Sequence, residues 1–299
     1  TLFMDLQHPK NLDPEFYNSG WINEIHNDLL AGPFVVASLS EERVVLERNP
    51  RWWGEPAKLE RVTYRQMELN AGINAFQNGE VDQANVAMAD RLRQVSSMDN
   101  VQIRRGFDTR TVVYILGQAS ELFKDEAGRK AFMLGTDRRL LATIDFQGLD
   151  WEEEPPGSSV MFPWQEGYRD NIADLHFDPE QAKRLLDESG WTVAADDGYR
   201  YKDGKRAEIT YVTFGDDPTV AALARAQQQM AEDIGIEMHI DIRRSADFGP
   251  TFAKGRRDFD VVILAWTATD PFGYSNSCQL YCSDSESNFT SLGTPEIDA

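Results

Sequence analysis

Along the chain, apolar and polar positions alternate between two periods. FVVASL (34–39) and ERVVLERN (42–49) repeat every second residue, and LERVTYRQM (59–67) does so again, so each predicts a strand. LNAGINAFQNGEVD (69–82) shifts to a helical period with Ile73 and Phe76 inward, and Asn78-Gly79 ends it. VDQANV (81–86) and VQIRRGF (101–107) predict two further short strands, with the helix MADRLRQVSSM (88–98) between them. TRTVVYILG (109–117) is a long β-branched strand, and KDEAGRKAFMLGTDRRLLATID (124–145) predicts one helix with Ala131, Leu134, Leu141 and Ile144 on a face.

The second half follows the same grammar. FDPEQAKRLLDESGW (177–191) is a short helix clamped at both ends: Asp178 caps it, Pro179 occupies the first turn, and Gly190 ends it where a positive φ is cheap. Ala182, Leu185 and Leu186 give it one apolar stripe. Asp197-Gly198 and Asp203-Gly204 mark hairpin turns. DPTVAALARAQQQMAEDIG (217–235) is a helix with Val220, Leu223, Met230 and Ile234 on one side. IEMHIDIRR (236–244) alternates as a strand, SADFGPTFAKG (245–255) is a short helix or irregular turn, and DFDVVILAW (258–266) is a buried strand. Between them, Gln147 to Asp174 has no period and several prolines and glycines, so it is a long loop; Phe162, Trp164 and Tyr168 argue that it is ordered. Strands alternating with helices over 110–266 predict an α/β arrangement around a mostly parallel sheet.

Composition narrows the function classes. The 299 residues suffice for two domains. Thirty basic against fifty acidic residues leave a net charge of −20, which repels phosphate backbones and anionic lipid. A nucleic-acid partner is therefore not expected. No apolar run approaches the ~20 residues of a membrane span. The sequence starts at Thr1-Leu2-Phe3 and stops in mid-pattern at Glu296-Ile297-Asp298-Ala299, which reads as a piece of a longer protein; a missing signal peptide then says nothing about compartment. Cys278 and Cys282 are spaced CxxxC, neither a redox CxxC nor, without a nearby histidine, a zinc site. A local disulfide and two free thiols both fit that spacing.

Catalytic patterns are missing. GxSxG, HExxH, GxxxxGK[ST] and GxGxxG do not occur, and the four histidines, His8, His26, His176 and His239, are far apart. No enzyme activity, cofactor or metal is expected.

FDPEQAKRLLDESGW resembles the D-P-x-x-A-x-x-L-L-x-x-A-G-W helix of the family 5 extracellular solute-binding proteins, the binding components of ABC importers for oligopeptides, dipeptides and nickel. Further stations resemble that family in its order: AGPF at 31–34, VVLERNPRWWG at 44–54, AFQNGEVD at 75–82, the segment 123–145, KDGK at 202–205, QQQMAEDIGIEMHI at 227–240 and DFDVVILAW at 258–266. With FTSLGTPEID at 289–298, the pattern looks nearest to the actinobacterial lipoprotein branch, some of whose members bind mannosylated phosphatidylinositol or regulate its pathway. Departures bear on the cargo. Gly128-Arg129-Lys130 stands in place of the usual Val-Arg-Gln core, Ile263 where an arginine often lies, and Thr269 where peptide-binding members carry an aspartate, with Asp270 one later.

The resemblance implies an incomplete two-lobed clamshell of the periplasmic-binding-protein type, with central mixed sheets flanked by helices. Residues 1–110 would form the second half of lobe I, and 111–299 lobe II without its C-terminal return segment. It also implies a small solute, peptide-like or other, held between lobes, ABC-importer membrane subunits as partners, an extracytoplasmic location and a lipid anchor outside this piece. A regulatory or scaffolding lipoprotein of the same fold, acting in cell-envelope glycolipid synthesis, is the other class it allows. Trp266, at a strand end, is the leading ligand-binding candidate, followed by Thr267, Thr269 and Asp270 on the next loop, Trp164 and Phe162 in the long loop, and Tyr114 on the strand 109–117. Trp52 and Trp53 are expected to be packing residues.

Overall fold

The computed structural model describes residues 9–20, 24–67, 69–86, 88–106, 109–158, 160–194, 196–215, 217–253, 258–267, 277–285, 287–290 and 292–299. The chain divides into two compact units: Thr1–Ala87 with Arg93–Ser97, and Met88–Leu92 with Met98–Ala299.

In the smaller unit, the helix α1 (Pro14–Ser19) precedes an antiparallel meander of β1 (Phe34–Leu39), β2 (Arg43–Arg48) and β3 (Arg61–Arg65), followed by α2 (Leu69–Gln77). The helix α3 (Ala89–Ser96) straddles the division. Buried Asn49 explains two of the sequence stations at once. Its amide donates to the Gly32 carbonyl at 2.8 Å and its side-chain oxygen accepts from the Arg51 N–H at 2.9 Å, while its own N–H reaches the Pro33 carbonyl. AGPF and NPRWW are thus two sides of one polar clamp. Leu29, Leu30, Phe34, Leu46, Ile73, Ala75 and Val95 are buried apolar residues of this unit. Trp52 donates its indole N–H to the Glu55 carbonyl, but Trp53 is 85% exposed, so the expectation that both pack holds only for Trp52.

The larger unit is built on a four-stranded sheet among the described residues. Its strands are β4 (Arg110–Leu116), β8 (Glu208–Phe214), β9 (Glu237–Arg243) and β10 (Val261–Thr267), in the order β4-β10-β8-β9. β8 runs parallel to β9 and to β10, while β4 is antiparallel to β10, so the sheet is mixed. Between β4 and β8 come α4 (Glu121–Lys124), α5 (Glu126–Leu134), α6 (Arg138–Asp145), α7 (Pro179–Glu188) and a small antiparallel sheet of β5 (Thr192–Val193), β6 (Arg200–Lys202) and β7 (Lys205–Arg206). α8 (Pro218–Asp233) joins β8 to β9, α9 (Phe248–Phe252) follows β9, and α10 (Ser277–Tyr281) and α11 (Pro295–Asp298) come last.

Alternation along the strands gives the sheet two apolar faces. On one, Ile209, Tyr211, Met238 and Val261 join Leu122, Phe123, Phe132, Leu186 and Trp191 from the helical layer. On the other, Ile115, Val212 and Val262 join Phe252 and Phe259. The sheet is thus buried on both sides, which is why VVILAW reads as a continuous apolar run.

Two buried polar residues lock these layers. Asp260, 3% exposed, accepts the Ser120 N–H at 2.6 Å with one carboxylate oxygen and the Thr210 N–H at 3.0 Å with the other. Its carbonyl takes the Gly117 N–H at 2.7 Å, and its N–H reaches the Thr210 carbonyl. Arg200, also 3% exposed, donates to the carbonyls of Ile234 (2.8 Å) and Trp191 (2.6 Å) and pairs with Asp187, tying the ends of α7 and α8 to the hairpin.

The opening helix matches its sequence. Asp178 accepts from the Gln181 N–H at 2.8 Å, Ala182 and Leu186 are fully buried, and Gly190 has φ +90°. The hairpin does too: Asp203 and Gly204 both take positive φ between β6 and β7. Three expectations fail. The helix predicted over 124–145 is broken at Gly135-Thr136-Asp137, because Asp137 caps α6 through the Leu140 N–H and Thr136 is held by Gln227 of α8. Residues 81–86 and 101–106 carry no strand, since neither finds a ladder partner among the described residues.

Asp260→Ala leaves two buried N–H groups without an acceptor and is expected to cost about 3 kcal/mol. Asp260→Asn, which keeps one oxygen acceptor, should cost less. Urea midpoints measure both; an alanine variant within ~0.5 kcal/mol of the parent contradicts this account of the lock.

Candidate functional site

Ligands of open α/β sheets bind beyond the carboxyl ends of the strands. Here that edge is defined by the parallel strands β8, β9 and β10, which end at Phe214, Arg243 and Thr267. Along β10 burial fades toward this end: Val261 and Val262 are fully buried, Trp266 is half-buried and Thr267 is exposed.

Trp266 stands at one end of an aromatic series. Its ring lies 5.8 Å from Phe289, which stacks on Phe252 at 4.2 Å. Phe252 meets Phe248 at 4.9 Å, and Phe248 meets Phe214 at 5.2 Å. Phe248 is 45% exposed. The result is a rim whose inner rings rest on the second apolar face and whose outer rings reach solvent. The sequence singled out only Trp266 of these five. The usable signal was the i, i+4 pair Phe248 and Phe252 in DFGPTF, but Phe214 and Phe289 join only by tertiary convergence.

The other candidates separate. Thr267 is on the same strand end, opposite Arg110 of β4. Thr269 and Asp270 lie outside the described residues. Phe162 and Trp164 stack on each other at 5.5 Å within the long loop, Phe162 buried and Trp164 44% exposed. Tyr114 sits opposite Ile263, whereas Trp266 sits opposite Thr111. Residues 263 and 266 differ in parity, so Tyr114 and Trp266 face opposite sides of the sheet. Tyr114 packs on the helical face with Tyr211 at 5.8 Å, and both hydroxyl oxygens are buried there. Burial raises both phenols, Tyr211 to about 12. Tyr114 is thus a core residue rather than part of the rim.

Charge at this edge is engaged. Arg243 is held by Asp241 (2.8 Å), Asp258 (2.9 Å) and the Thr251 hydroxyl (3.0 Å). Asp217 caps α8 through the Thr219 N–H. Burial raises the pKa of Asp145 on α6, with Arg110 opposing and Asp217 adding to the effect. The described histidines lie elsewhere: His26 bonds the Gly20 carbonyl in the smaller unit, His176 stands 3.3 Å from Asp170, and His239 is on the edge strand β9. Among the described residues the rim therefore has no nucleophile–base pair. Cys278 and Cys282 are joined by a disulfide. No helix among the described residues is long and apolar enough to cross a membrane.

The larger unit is thus a mixed α/β sheet with an aromatic rim at the carboxyl edge of its parallel strands. Comparison with known proteins gives its family. The model of the bacterial extracellular solute-binding proteins, family 5 Middle, matches residues 7–288, and the chain belongs to that family. It is 33% identical over 289 residues to the oligopeptide-binding protein OppA of Mycobacterium tuberculosis, covering 96% of this chain and 48% of that protein. It is 25% identical over 258 residues to AppA of Bacillus subtilis, covering 84% and 46%. Among solved structures, AppA of B. subtilis in complex with a nonapeptide superposes with a TM-score of 0.73 at 24% identity, over 89% of this chain and 53% of that one. A periplasmic oligopeptide-binding protein of Thermotoga maritima superposes with a TM-score of 0.74 at 19% identity, over 99% and 58%. The chain spans about half the length of the curated relatives it matches. These relatives are binding proteins, not enzymes.

Trp266→Ala is expected to weaken ligand binding by the intact protein at least tenfold, about 1.4 kcal/mol. Tyr114→Phe should leave affinity unchanged, because its hydroxyl is buried on the helical face, away from the rim. Titration calorimetry, with circular dichroism to confirm folding, checks both. A Tyr114→Phe loss as large as that of Trp266→Ala would contradict the facial assignment.

Proposed function

We propose that this chain is the cargo-contacting part of an extracytoplasmic solute-binding subunit that captures an oligopeptide and delivers it to the membrane subunits of an ABC importer. The observation that carries the reading is the aromatic rim headed by Trp266 at the carboxyl edge of β10. Half-buried rings at a strand edge offer large, rigid apolar area to a ligand's side chains, and strand-end backbone offers hydrogen bonds to its main chain. The mycobacterial and Bacillus relatives are both named oligopeptide-binding proteins, which favours peptide as the cargo class.

In this reading the smaller unit belongs to lobe I and the larger to lobe II, and hinge closure of the whole protein traps the cargo. The compact units divide at Met88, within α3 and at Met98, whereas the expected lobe boundary is at residue 110. Thr269 and Asp270, which follow β10 in sequence, belong to the proposed cargo contacts, with Trp164 and Phe162 as a second aromatic pair.

Native mass spectrometry of the intact protein, purified without denaturation, tests this. The expected spectrum shows the protein carrying a ladder of peptide masses that is lost on unfolding. After refolding, an added peptide pool should raise the melting temperature. A bound lipid in place of peptides, or no bound mass together with no thermal shift, would overturn the peptide reading.

A further inference from the structure

At the other end of the same sheet, three metal-ligating side chains are brought together. Glu237 and His239 are two residues apart on β9 and so share a face, and Glu208 on β8 is the direct register partner of Glu237. The Nε2 atom of His239 lies 3.1 Å from Oε1 of Glu208 and 3.9 Å from Oε1 of Glu237. All three ligand atoms lie within 4.8 Å of one another. Between them, Met238 is buried into the opposite, helical face, which fixes the register and hence the direction of both neighbours.

These separations suit a shared cation. Zinc–nitrogen and zinc–oxygen bonds of about 2.0–2.2 Å in tetrahedral geometry put ligand atoms roughly 3.3–3.6 Å apart. The two measured separations bracket that range. One imidazole and two carboxylates form a mixed nitrogen–oxygen set suited to first-row divalent ions. Arg206 of β7 pairs with Glu237 through its other oxygen, Oε2, and thereby orients Oε1 toward His239. The guanidinium also opposes a cation, but Asp197 pairs with it on its far side. With a net charge of −20, the chain as a whole attracts cations.

We propose that Glu208, Glu237 and His239 form a binding site for a divalent transition-metal ion, zinc in the first instance, with solvent completing the coordination. The site ties the edge strand β9 to β8. It lies at the amino-terminal ends of these strands, six residues and roughly 20 Å along β8 from Phe214 of the aromatic rim. It is therefore separate from the proposed cargo site, and its test does not depend on what the cargo is.

The direct experiment titrates zinc chloride alone into the intact protein by calorimetry in a chelator-free buffer. A saturable one-to-one site is expected. His239→Ala and Glu208→Gln should each weaken it at least tenfold, and His176→Ala should not. Two-dimensional spectra of the histidine rings provide a readout that needs no variant: zinc should shift the His239 imidazole signals first. Trp266→Ala should leave zinc affinity unchanged, which separates this site from the cargo rim. No zinc binding up to millimolar concentration, an unaltered affinity in His239→Ala, or a first shift at His176 would overturn the proposal and leave Glu208 and His239 as an ion pair only.

Discussion

The larger unit depends on one carboxylate. Asp260 stands where β10 begins, and its two oxygens and two backbone groups bond to the β4–α4 connection and to β8. A buried acid of this kind is tolerated only because backbone N–H groups satisfy it, and those groups are in turn left with no alternative acceptor. The lock sets where β10 starts relative to β8. Since strand alternation has a period of two, it also sets which side chains of β10 face which layer. Val262, Leu264 and Trp266 go to one face and Val261 and Ile263 to the other. A slip of one residue would bury Thr267 and remove Trp266 from the rim.

The sheet's burial changes along its length. Just after Asp260, Val261 and Val262 of β10 are fully buried, one in each apolar face. At the carboxyl end of β10 the cover thins, and the aromatic rings of α9, Phe289 and Trp266 form the last layer before solvent. In the proposed reading the same rings both anchor the unit and offer the contact surface for cargo. At the opposite end, parallel register gathers Glu208, Glu237 and His239, so the two ends of one sheet carry different chemistries.

Sequence legibility tracked the range of the interactions involved. The caps of α7 were legible because Asp178, Pro179 and Gly190 act within one helix. The 203–204 turn was legible because Asp-Gly requires positive φ at both positions. The break between α5 and α6 was not, because Thr136 answers to Gln227, 91 residues away. The strand expected at 101–107 had the right alternation, but a strand exists only with a partner, and alternation does not reveal one. Trp266 was legible as the end of an apolar run. Its separation from Tyr114 was not, since that follows from the antiparallel pairing of β4 with β10. The rim stayed hidden because its five rings come from four separate stretches of chain.

The central claim is that cargo contacts the carboxyl edge of this sheet. Hydrogen–deuterium exchange on the intact protein, with and without bound cargo, tests it most directly. The account predicts slowed exchange at residues 213–215, 243–245 and 265–267 and in α9, with the amino-terminal ends of β8 and β9 unchanged. Protection that spared 265–267 and fell instead on the helical face around Tyr114 would contradict it.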